Sequence, residues 1–225
     1  YCRGEVPIFE PGLSELVGEM TAAGRLSIVH RDDAPPPIGD VALIATGTGA
    51  TLNGAADLSH VRDAISWVAA RRPSNCVIVM KSTVPPGTGT RLSQTMLNGT
   101  GLSYVANPEF LREGQALTDW FHPDRIVIGS EEDGPTRVVQ ELTSDMNAPY
   151  VVTDVTSAEM IKHASNAFLA TKISFANEIA TLCERLGATI DDVVDGMSLD
   201  PRIGGSFLGA GVGYGGSCLP KDVKA

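Results

Sequence analysis

The sequence has little positive charge. Its 225 residues contain 17 Lys and Arg against 27 Asp and Glu, a formal net charge of −10. A general nucleic-acid-binding protein needs a basic face for phosphate contacts, so this balance excludes nucleic acid as a partner. An apolar content of 43% with 20% charged residues is ordinary for a globular chain, and we therefore expect a packed core rather than disorder.

Long apolar runs are also missing. No run approaches the roughly 20 residues that a membrane helix needs, and residues 1–5 (YCRGE) lack the basic-then-apolar pattern of a secretory signal. These absences predict a soluble, cytoplasmic protein with no membrane partner. Because the chain opens with Tyr1 rather than Met and ends at Ala225 without a helix stop, we also expect a piece of a longer protein.

Cysteine is scarce, and the four cysteines form no metal-binding pattern. They include no CxxC pair and no Cys/His cluster, which argues against a metal site and, in a chain of this length, against a disulfide framework. Cys76 begins the apolar run CVIVM and Cys183 lies on an apolar helical face, so both should be buried. Cys218 differs because it follows the glycine-rich run GVGYGGS, where a thiol is poorly placed to fill a core.

Between residue 41 and about residue 153, short apolar runs alternate with helical periods. Strands are predicted over residues 41–46, 77–81, 102–106, 125–129 and 150–152, and helices over residues 57–68, 88–97 and 134–146. Strands that are apolar on both faces and alternate with helices indicate an α/β fold with a mainly parallel sheet.

The composition changes at Asp154. Residues 156–186 contain no Gly or Pro and carry apolar residues on more than one face, which predicts a single helix of roughly 30 residues, buried between layers or between subunits. A second helix is predicted over residues 190–197. We therefore divide the chain into a domain of residues 1–153 and a domain of residues 154–225.

Two loops follow predicted parallel strands, at positions where α/β sheets bind ligands. They are ATGTG (residues 45–49) and KSTVPPGT (residues 81–88). No GxGxxG motif opens a helix after a first strand, so the usual dinucleotide fingerprint is missing. The two loops are therefore either cofactor sites or ordinary strand-to-helix turns.

Two pairs of polar residues have the spacing of one helical face. Glu109 and Glu113 stand four residues apart in NPEFLREG (residues 107–114), a pattern that suits general-base catalysis or only a solvated acidic turn. Lys162 and Asn166 repeat the spacing on the long helix and could donate hydrogen bonds to a developing oxyanion. On most helices such a pair would face solvent, but the apolar residues around this helix make that less expected here.

The segment around Cys218 adds a candidate nucleophile. Lys221 would favour its thiolate, and Asp222 could orient a water molecule or accept a proton. With the pairs above, this thiol indicates covalent catalysis at a carbonyl carbon. The four histidines form no thiol-protease pattern, and His163, which follows Lys162, is expected to point to a different face of its helix.

Six motifs, taken in order, resemble those of the UDP-glucose/GDP-mannose dehydrogenase family over nearly the whole chain. They are PIFEPGL (7–13), ADLS (56–59), STVPPGT (82–88), NPEFLREG (107–114), PDRIVIG (123–129) and GGSCLPKD (215–222). The run RIG at residues 202–204 is similar to the UDP-glucose branch. The resemblance implies a truncated Rossmann-like parallel sheet, followed by a long central helix and a helical dimerisation domain.

The resemblance also implies a reaction, which is the oxidation of a nucleotide-sugar C6 alcohol to the carboxylate with NAD as cofactor. By motif, the expected catalytic residues are Cys218, Lys162, Asn166, Glu109, Asp222 and Thr83. The expected cofactor-binding residues are Thr46, Thr48, Ser82, Thr83, Glu113 and Lys221. The expected substrate-binding residues are Glu109, Phe110, Leu111, Lys162, Asn166, Arg202, Phe207, Leu208, Gly213, Tyr214 and Gly215. Arg202 is similar to an arginine that reaches the substrate of a partner subunit, which implies a homodimer through the long helix.

The sequence also departs from the family pattern. These residues lack the family's Gly-rich first βα unit, its ribose-binding acidic residue and its C-terminal domain, and ATGT (residues 45–48) lacks the proline usual after its threonine. Two alternatives therefore stay open. In the first alternative, the protein is a GDP-mannose or UDP-N-acetylmannosamine dehydrogenase. In the second, the truncated chain is inactive and serves only as a dimerisation module.

Overall fold

The structure, a computed structural model, describes residues 6–30, 39–51, 55–71, 75–216 and 219–224. These residues form two compact units. The first contains the described parts of Tyr1–Thr48 and Leu58–Glu159, and the second contains those of Gly49–Asp57 and Met160–Ala225. The division into residues 1–153 and 154–225 stays a prediction.

Among the described residues, five strands agree closely with those predicted, and two short ones, at residues 49–50 and 56–57, were not predicted. They are β1 (Val41–Ile44), β2 (Gly49–Ala50), β3 (Ala56–Asp57), β4 (Val77–Met80), β5 (Ser103–Ala106), β6 (Ile126–Gly129) and β7 (Tyr150–Thr153). Five of them form one sheet in the order β1-β4-β5-β6-β7, while β2 and β3 form a short antiparallel hairpin. The predicted mainly parallel sheet is confirmed, with one exception: β5 and β6 pair antiparallel where Ala106 faces Gly129.

The helices of the described residues include three that the sequence analysis did not predict, α1, α4 and α8. The full set is α1 (Leu13–Ala22), α2 (Ser59–Ala69), α3 (Thr88–Leu92), α4 (Ala116–Phe121), α5 (Asp133–Leu142), α6 (Val155–Leu186), α7 (Ile190–Ser198) and α8 (Leu219–Asp222). A π-helical turn, Ser93–Leu97, continues α3. None of these helices combines the length and apolar content that crossing a membrane requires.

The core of the first unit lies around the central strands of the sheet. All four residues of β4 are buried, as expected for a strand covered on both faces. On one face, Val77 and Val79 pack with Val139 of α5. Helix α2 buries Val61, Ile65 and Val68, whose spacing of four and three residues places them on one side of the helix. The predicted burial of Cys76 and Cys183 is confirmed.

Helix α6 runs for 32 residues, as the absence of Gly and Pro predicted. It begins where the Asp154 carboxylate accepts a hydrogen bond from the Ser157 backbone N–H at 2.8 Å, the usual way to satisfy an open helix N-terminus. It ends before Gly187, whose positive φ of 75° a residue with a side chain would adopt only with strain. Its first residues belong to the first unit and the rest to the second.

Candidate active site

The hydroxyl groups of Ser82 and Thr48 join the loop after β4 to the segment after β1. The Ser82 hydroxyl donates to the Thr46 carbonyl at 2.7 Å and approaches the Ile44 carbonyl at 3.3 Å, while the Thr48 hydroxyl donates to the Thr83 carbonyl at 2.9 Å. The loops meet because β1 and β4 are parallel neighbours that end together, with Ile44 opposite Met80. Four of the residues proposed for cofactor binding therefore lie side by side at one edge of the sheet.

One atom of this group has no protein partner within the described part of the chain. The Thr46 hydroxyl oxygen is buried, and no hydrogen bond to it is found there. A buried polar atom without a partner is costly, which makes it a natural contact for the polar atoms of a bound molecule. The group at this sheet edge therefore fits a polar ligand such as part of a dinucleotide.

The loop after β5 is fixed at its first residue by Asn107, which is 4% exposed. Its side chain accepts a hydrogen bond from Lys81 Nζ at 3.0 Å and donates one to the Val127 carbonyl at 2.7 Å, so it links the residues that follow β4 and β5 to strand β6. Two residues on, the Glu109 carboxylate is half-buried and accepts a hydrogen bond from the Leu111 backbone N–H at 2.6 Å. Glu109 is thus held close to the main chain of its own loop.

The prediction that Glu109 and Glu113 share the face of a helical turn is wrong. Residues 107–112 are irregular, Gly114 has a φ of 82°, and the next helix, α4, begins only at Ala116. The physical reason is local, because Pro108 cannot donate a backbone hydrogen bond and Glu109 binds the N–H two residues on. Glu113 is exposed.

The end of this loop is held by a residue that sequence reasoning had not assigned a role. The Glu10 carboxylate accepts hydrogen bonds from the Gly114 N–H at 2.8 Å and the Ala116 N–H at 3.1 Å, at the start of α4. Motif 7–13 therefore caps the turn that follows motif 107–114. In the sequence, the only sign of a role for Glu10 was its place within motif 7–13. That place does not indicate a partner more than 100 residues away.

The two apolar residues proposed for substrate binding in this loop differ in their surroundings. The Phe110 ring lies 3.7 Å from the guanidinium carbon of Arg125, a cation–π contact. Leu111 is 37% exposed. Apolar and aromatic surface at this place is available for a sugar or base, and its use by a substrate stays a prediction.

In the second unit, polar side chains from α6 and α8 meet at Asp222. The Asp222 carboxylate is 4% exposed and accepts a hydrogen bond from Asn166 Nδ2 at 2.6 Å. Its other oxygen accepts one from Lys221 Nζ at 2.5 Å. Lys162, one helical turn before Asn166, is also buried, with 6% of its surface exposed. The expectation that Lys162 and Asn166 avoid solvent is confirmed.

His163 belongs to the same group, although its position next to Lys162 led us to expect it elsewhere. It is 7% exposed, and its Nδ1 lies 3.3 Å from the backbone carbonyl oxygen of Asp222. Neighbouring residues of a helix do point in different directions, but α8 lies close enough to be contacted by both His163 and Asn166. The apolar residues on several faces of α6 were the signal that side chains in more than one direction would be buried.

The residues proposed for substrate binding between positions 202 and 215 are mostly exposed. Arg202 forms an ion pair with Asp200 at 2.6 Å while 87% of its side chain stays exposed. Phe207 is 41% exposed and has an unusual positive φ of 65°, whereas Leu208 is buried. The exposed members of the set also include Gly213, Tyr214 and Gly215.

The segment 202–215 is tied to α6 at two places. Lys172 Nζ lies 3.3 Å from the Ile203 carbonyl oxygen, and the Gly211 N–H donates to the Asn177 side chain at 2.8 Å. Ser217 and Cys218, which follow this segment, lie outside the described residues. The proposed role of Cys218 therefore rests on the sequence.

Two family models match the chain. The NAD binding domain of the UDP-glucose/GDP-mannose dehydrogenase family matches residues 2–147, and the central domain of the same family matches residues 156–225. The first match confirms NAD as the predicted cofactor.

Named relatives are similar over the whole chain. UDP-glucose 6-dehydrogenase YwqF of Bacillus subtilis is 47% identical over 227 residues, which cover 99% of this chain and 52% of the relative. A UDP-glucose 6-dehydrogenase of Rhizobium meliloti is 47% identical over 232 residues, covering 99% and 53%. The chain thus spans about half the length of the curated relatives it matches.

Solved structures show the same relationship. A UDP-glucose dehydrogenase from the hyperthermophilic archaeon Pyrobaculum islandicum superposes with a TM-score of 0.90 at 42% identity, covering 98% of this chain and 52% of that one. A GDP-mannose dehydrogenase from Pseudomonas aeruginosa gives a TM-score of 0.82 at 32% identity, with 98% and 53% covered. With sheet, long helix and motifs in agreement, the chain belongs to the UDP-glucose/GDP-mannose dehydrogenase family.

Proposed function

We propose that this chain supplies the NAD-binding and central domains of an enzyme that oxidises the C6 alcohol of UDP-glucose to the carboxylate of UDP-glucuronate. The observation that carries the proposal is the 2.6 Å hydrogen bond between Asn166 and Asp222. It joins the buried donor pair of α6 to the residue four positions after Cys218. The names of the two Bacillus and Rhizobium relatives support UDP-glucose as the sugar nucleotide.

The proposed chemistry is a four-electron oxidation in which Cys218 forms two covalent intermediates. The C6 alcohol first loses a hydride from carbon and its hydroxyl proton to solvent, which gives the aldehyde. The Cys218 thiolate sulfur then bonds to C6, and the carbonyl π electrons become an oxyanion that the Lys162 ammonium and Asn166 amide stabilise. Loss of a hydride from C6 then converts this thiohemiacetal into a thioester. When bound, NAD⁺ would supply the oxidising power for both hydride losses, the one from the alcohol and the one from the thiohemiacetal.

Hydrolysis of the thioester completes the reaction. Glu109 accepts a proton from water while the water oxygen bonds to C6, and the C6–sulfur bond breaks to restore the Cys218 thiolate. Asp222 and Thr83 help to place this water. One alcohol, two NAD⁺ and one water thus yield one carboxylate, two NADH and three protons, so that atoms and charge balance.

The residues at the sheet edge fit the cofactor. Thr46 offers a buried hydroxyl without a protein partner in the described chain, and Thr48, Ser82 and Thr83 lie beside it. Glu113 and Lys221 complete the set proposed to contact NAD. Hydroxyl groups and main chain here suit the ribose and amide groups of a dinucleotide, whereas a Gly-rich phosphate turn is not among these residues.

We also infer a homodimer formed through α6. Phe168, Phe175 and Leu182 recur at intervals of seven residues and are 64%, 45% and 45% exposed. A seven-residue interval keeps side chains on one stripe of a helix, and an apolar stripe of this kind is typical of contact with a second helix. In such a dimer, the exposed Arg202 of one subunit would reach the nucleotide sugar held by residues 207–215 and by Phe110 and Leu111 of the other.

The test is turnover by the intact protein and by the 225-residue chain, measured as NADH and UDP-glucuronate produced from UDP-glucose. We expect two NADH per UDP-glucuronate in the intact protein and no UDP-glucuronate from Cys218→Ser, with Cys183→Ser as the matched control. A fully active Cys218→Ser variant would refute the role of this thiol. Higher kcat/KM with GDP-mannose or UDP-N-acetylmannosamine would reassign the substrate, and turnover by the chain alone would exclude an inactive dimerisation module.

A further inference from the structure

Glu159 is a buried carboxylate that the proposed mechanism does not use. It lies in the second turn of α6, within the first unit, and is 3% exposed. One carboxylate oxygen accepts a hydrogen bond from the Gly87 N–H and the other from the Gly89 N–H, both at 2.7 Å. The Tyr104 hydroxyl is a third donor, at 3.4 Å. Three donors converging on one side chain make this the anchor of the N-terminus of α3.

The residues around the Glu159 contact are closely packed. A Cβ atom at Gly89 would collide with the Tyr104 ring and with Val155 of α6. A Cβ atom at Gly129 would collide with Ala158, next to Glu159. The start of α6 therefore packs directly on α3 and on the end of β6, and this packing sets where the Glu159 carboxylate can be.

Glu159 holds one end of the loop whose other end carries Ser82 and Thr83. The end that carries Ser82 and Thr83 is fixed by the hydrogen bonds of these two residues to the segment after β1. Between the two ends, Val84 is buried and Pro85 and Pro86 have fixed φ angles. A short, stiff segment fixed at both ends should present its side chains in one position, and loss of either end should release it.

We propose that Glu159 is a positioning residue that fixes loop 82–89 for NAD binding by occupying the backbone N–H groups at the N-terminus of α3. The inference rests on the proposed function, because Ser82 and Thr83 are the cofactor contacts that it would position. With the Glu159 carboxylate bound to those N–H groups, the loop is left to serve the cofactor through the hydroxyl groups of Ser82 and Thr83.

Burial supports this view of Glu159 as a residue held in place by its surroundings. Burial raises its pKa to about 7, although the hydrogen bonds from Gly89 and Gly87 act in the opposite direction. Burial also raises the pKa of Tyr104, and the charge of Glu159 adds to that effect. An isolated carboxylate would be costly to bury, so the hydrogen-bond donors around Glu159 are needed to hold it in this place.

The experiment compares Glu159→Gln with two controls in the intact protein. Glu178→Gln removes an exposed carboxylate from the same helix, and Val139→Ala weakens the core at α5 without touching the loop. In hydrogen–deuterium exchange without cofactor, peptides covering residues 81–92 should exchange about tenfold faster or more in Glu159→Gln than in either control. Unchanged exchange would overturn the proposal.

Kinetics provide the second measurement. In Glu159→Gln, the KM for NAD⁺ should rise about tenfold while the KM for UDP-glucose stays unchanged, because only the cofactor loop is released. A purely structural role would reduce the active fraction, and so kcat, in Glu159→Gln and Val139→Ala alike, without a change in either KM; that result would overturn the proposal. If the wild-type protein does not use NAD⁺ at all, the proposed function fails, and the exchange experiment alone decides whether Glu159 anchors the loop.

Discussion

Each unit of the chain contains a deeply buried carboxylate, and the two have different kinds of partner. Glu159 is bound by backbone N–H groups and a tyrosine hydroxyl. Asp222 is bound by the side chains of Asn166 and Lys221. A carboxylate that binds the main chain fixes the course of a loop, whereas one that binds side chains fixes the groups proposed to react. The first should therefore govern cofactor binding, and the second the chemical step.

The largest effect is expected from Asp222→Asn. The new amide presents an NH₂ group to Asn166 or Lys221, which are themselves donors, so the proposed oxyanion site loses its alignment. We expect kcat to fall about 100-fold or more, with the KM for NAD⁺ within about threefold of wild type. Steady-state kinetics on the intact protein, with the exposed Asp195→Asn as control, measure both values. A kcat within threefold of wild type would remove Asp222 from the mechanism.

A smaller effect, on stability, should follow the pH dependence of Glu159. Its pKa is raised from the ordinary 4.5 to about 7, so the folded state binds a proton more tightly than the unfolded state. The resulting stabilisation is complete below pH 4.5 and is lost as the pH rises through 7. The wild-type protein should thus lose on the order of 3 kcal/mol of unfolding free energy, relative to Glu159→Gln, over this range.

Urea unfolding of both proteins between pH 4.5 and 8 tests this difference. Tyr104 is the titratable side chain seen to face Glu159, and its raised pKa keeps it neutral throughout. If the unfolding free energies of the two proteins change in parallel over this pH range, the pKa of the Glu159 carboxylate is not raised as its burial predicts.

The smallest effect is expected at His163, whose Nδ1 lies 3.3 Å from the backbone carbonyl oxygen of Asp222. His163→Phe keeps a ring and removes both nitrogens, and should cost about 1 kcal/mol of unfolding free energy. His163→Gln keeps a hydrogen-bonding group and should recover part of the loss. We expect kcat to fall no more than a few-fold in either variant; a fall as large as that of Asp222→Asn would give His163 a direct part in the reaction.

Much of the fold could be predicted because the signals were local. The strands at 77–80 and 126–129 are continuous apolar runs, and the helix at 155–186 lacks any residue that would break it. The antiparallel pairing of β5 with β6 could not be predicted, since it depends on the path of the whole segment 107–125. Similarly, the sequence of residues 88–97 contains no pattern that predicts the π-helical turn after α3.

The candidate site was predictable in composition but not in its supporting contacts. Lys162, Asn166 and Asp222 were identified by spacing and motif, and the structure groups Asn166 with Asp222. Glu10 and Glu159 escaped notice because their partners lie 104 and about 70 residues away, and an acidic residue on a helix ordinarily faces solvent. The error at Glu109 and Glu113 arose because spacing alone cannot distinguish a helical turn from a loop closed by its own side chain.

The central claim is that Cys218 carries the sugar as a thioester, and trapping that adduct is its most direct test. In Glu109→Gln, hydrolysis should be slow, so incubation of the intact protein with UDP-glucose and NAD⁺ should accumulate the intermediate. Intact-mass and peptide mass spectrometry should then find one UDP-glucuronyl group per chain, on Cys218. An adduct on another residue, or no adduct while Glu109→Gln releases UDP-glucuronate at the wild-type rate, would contradict the account.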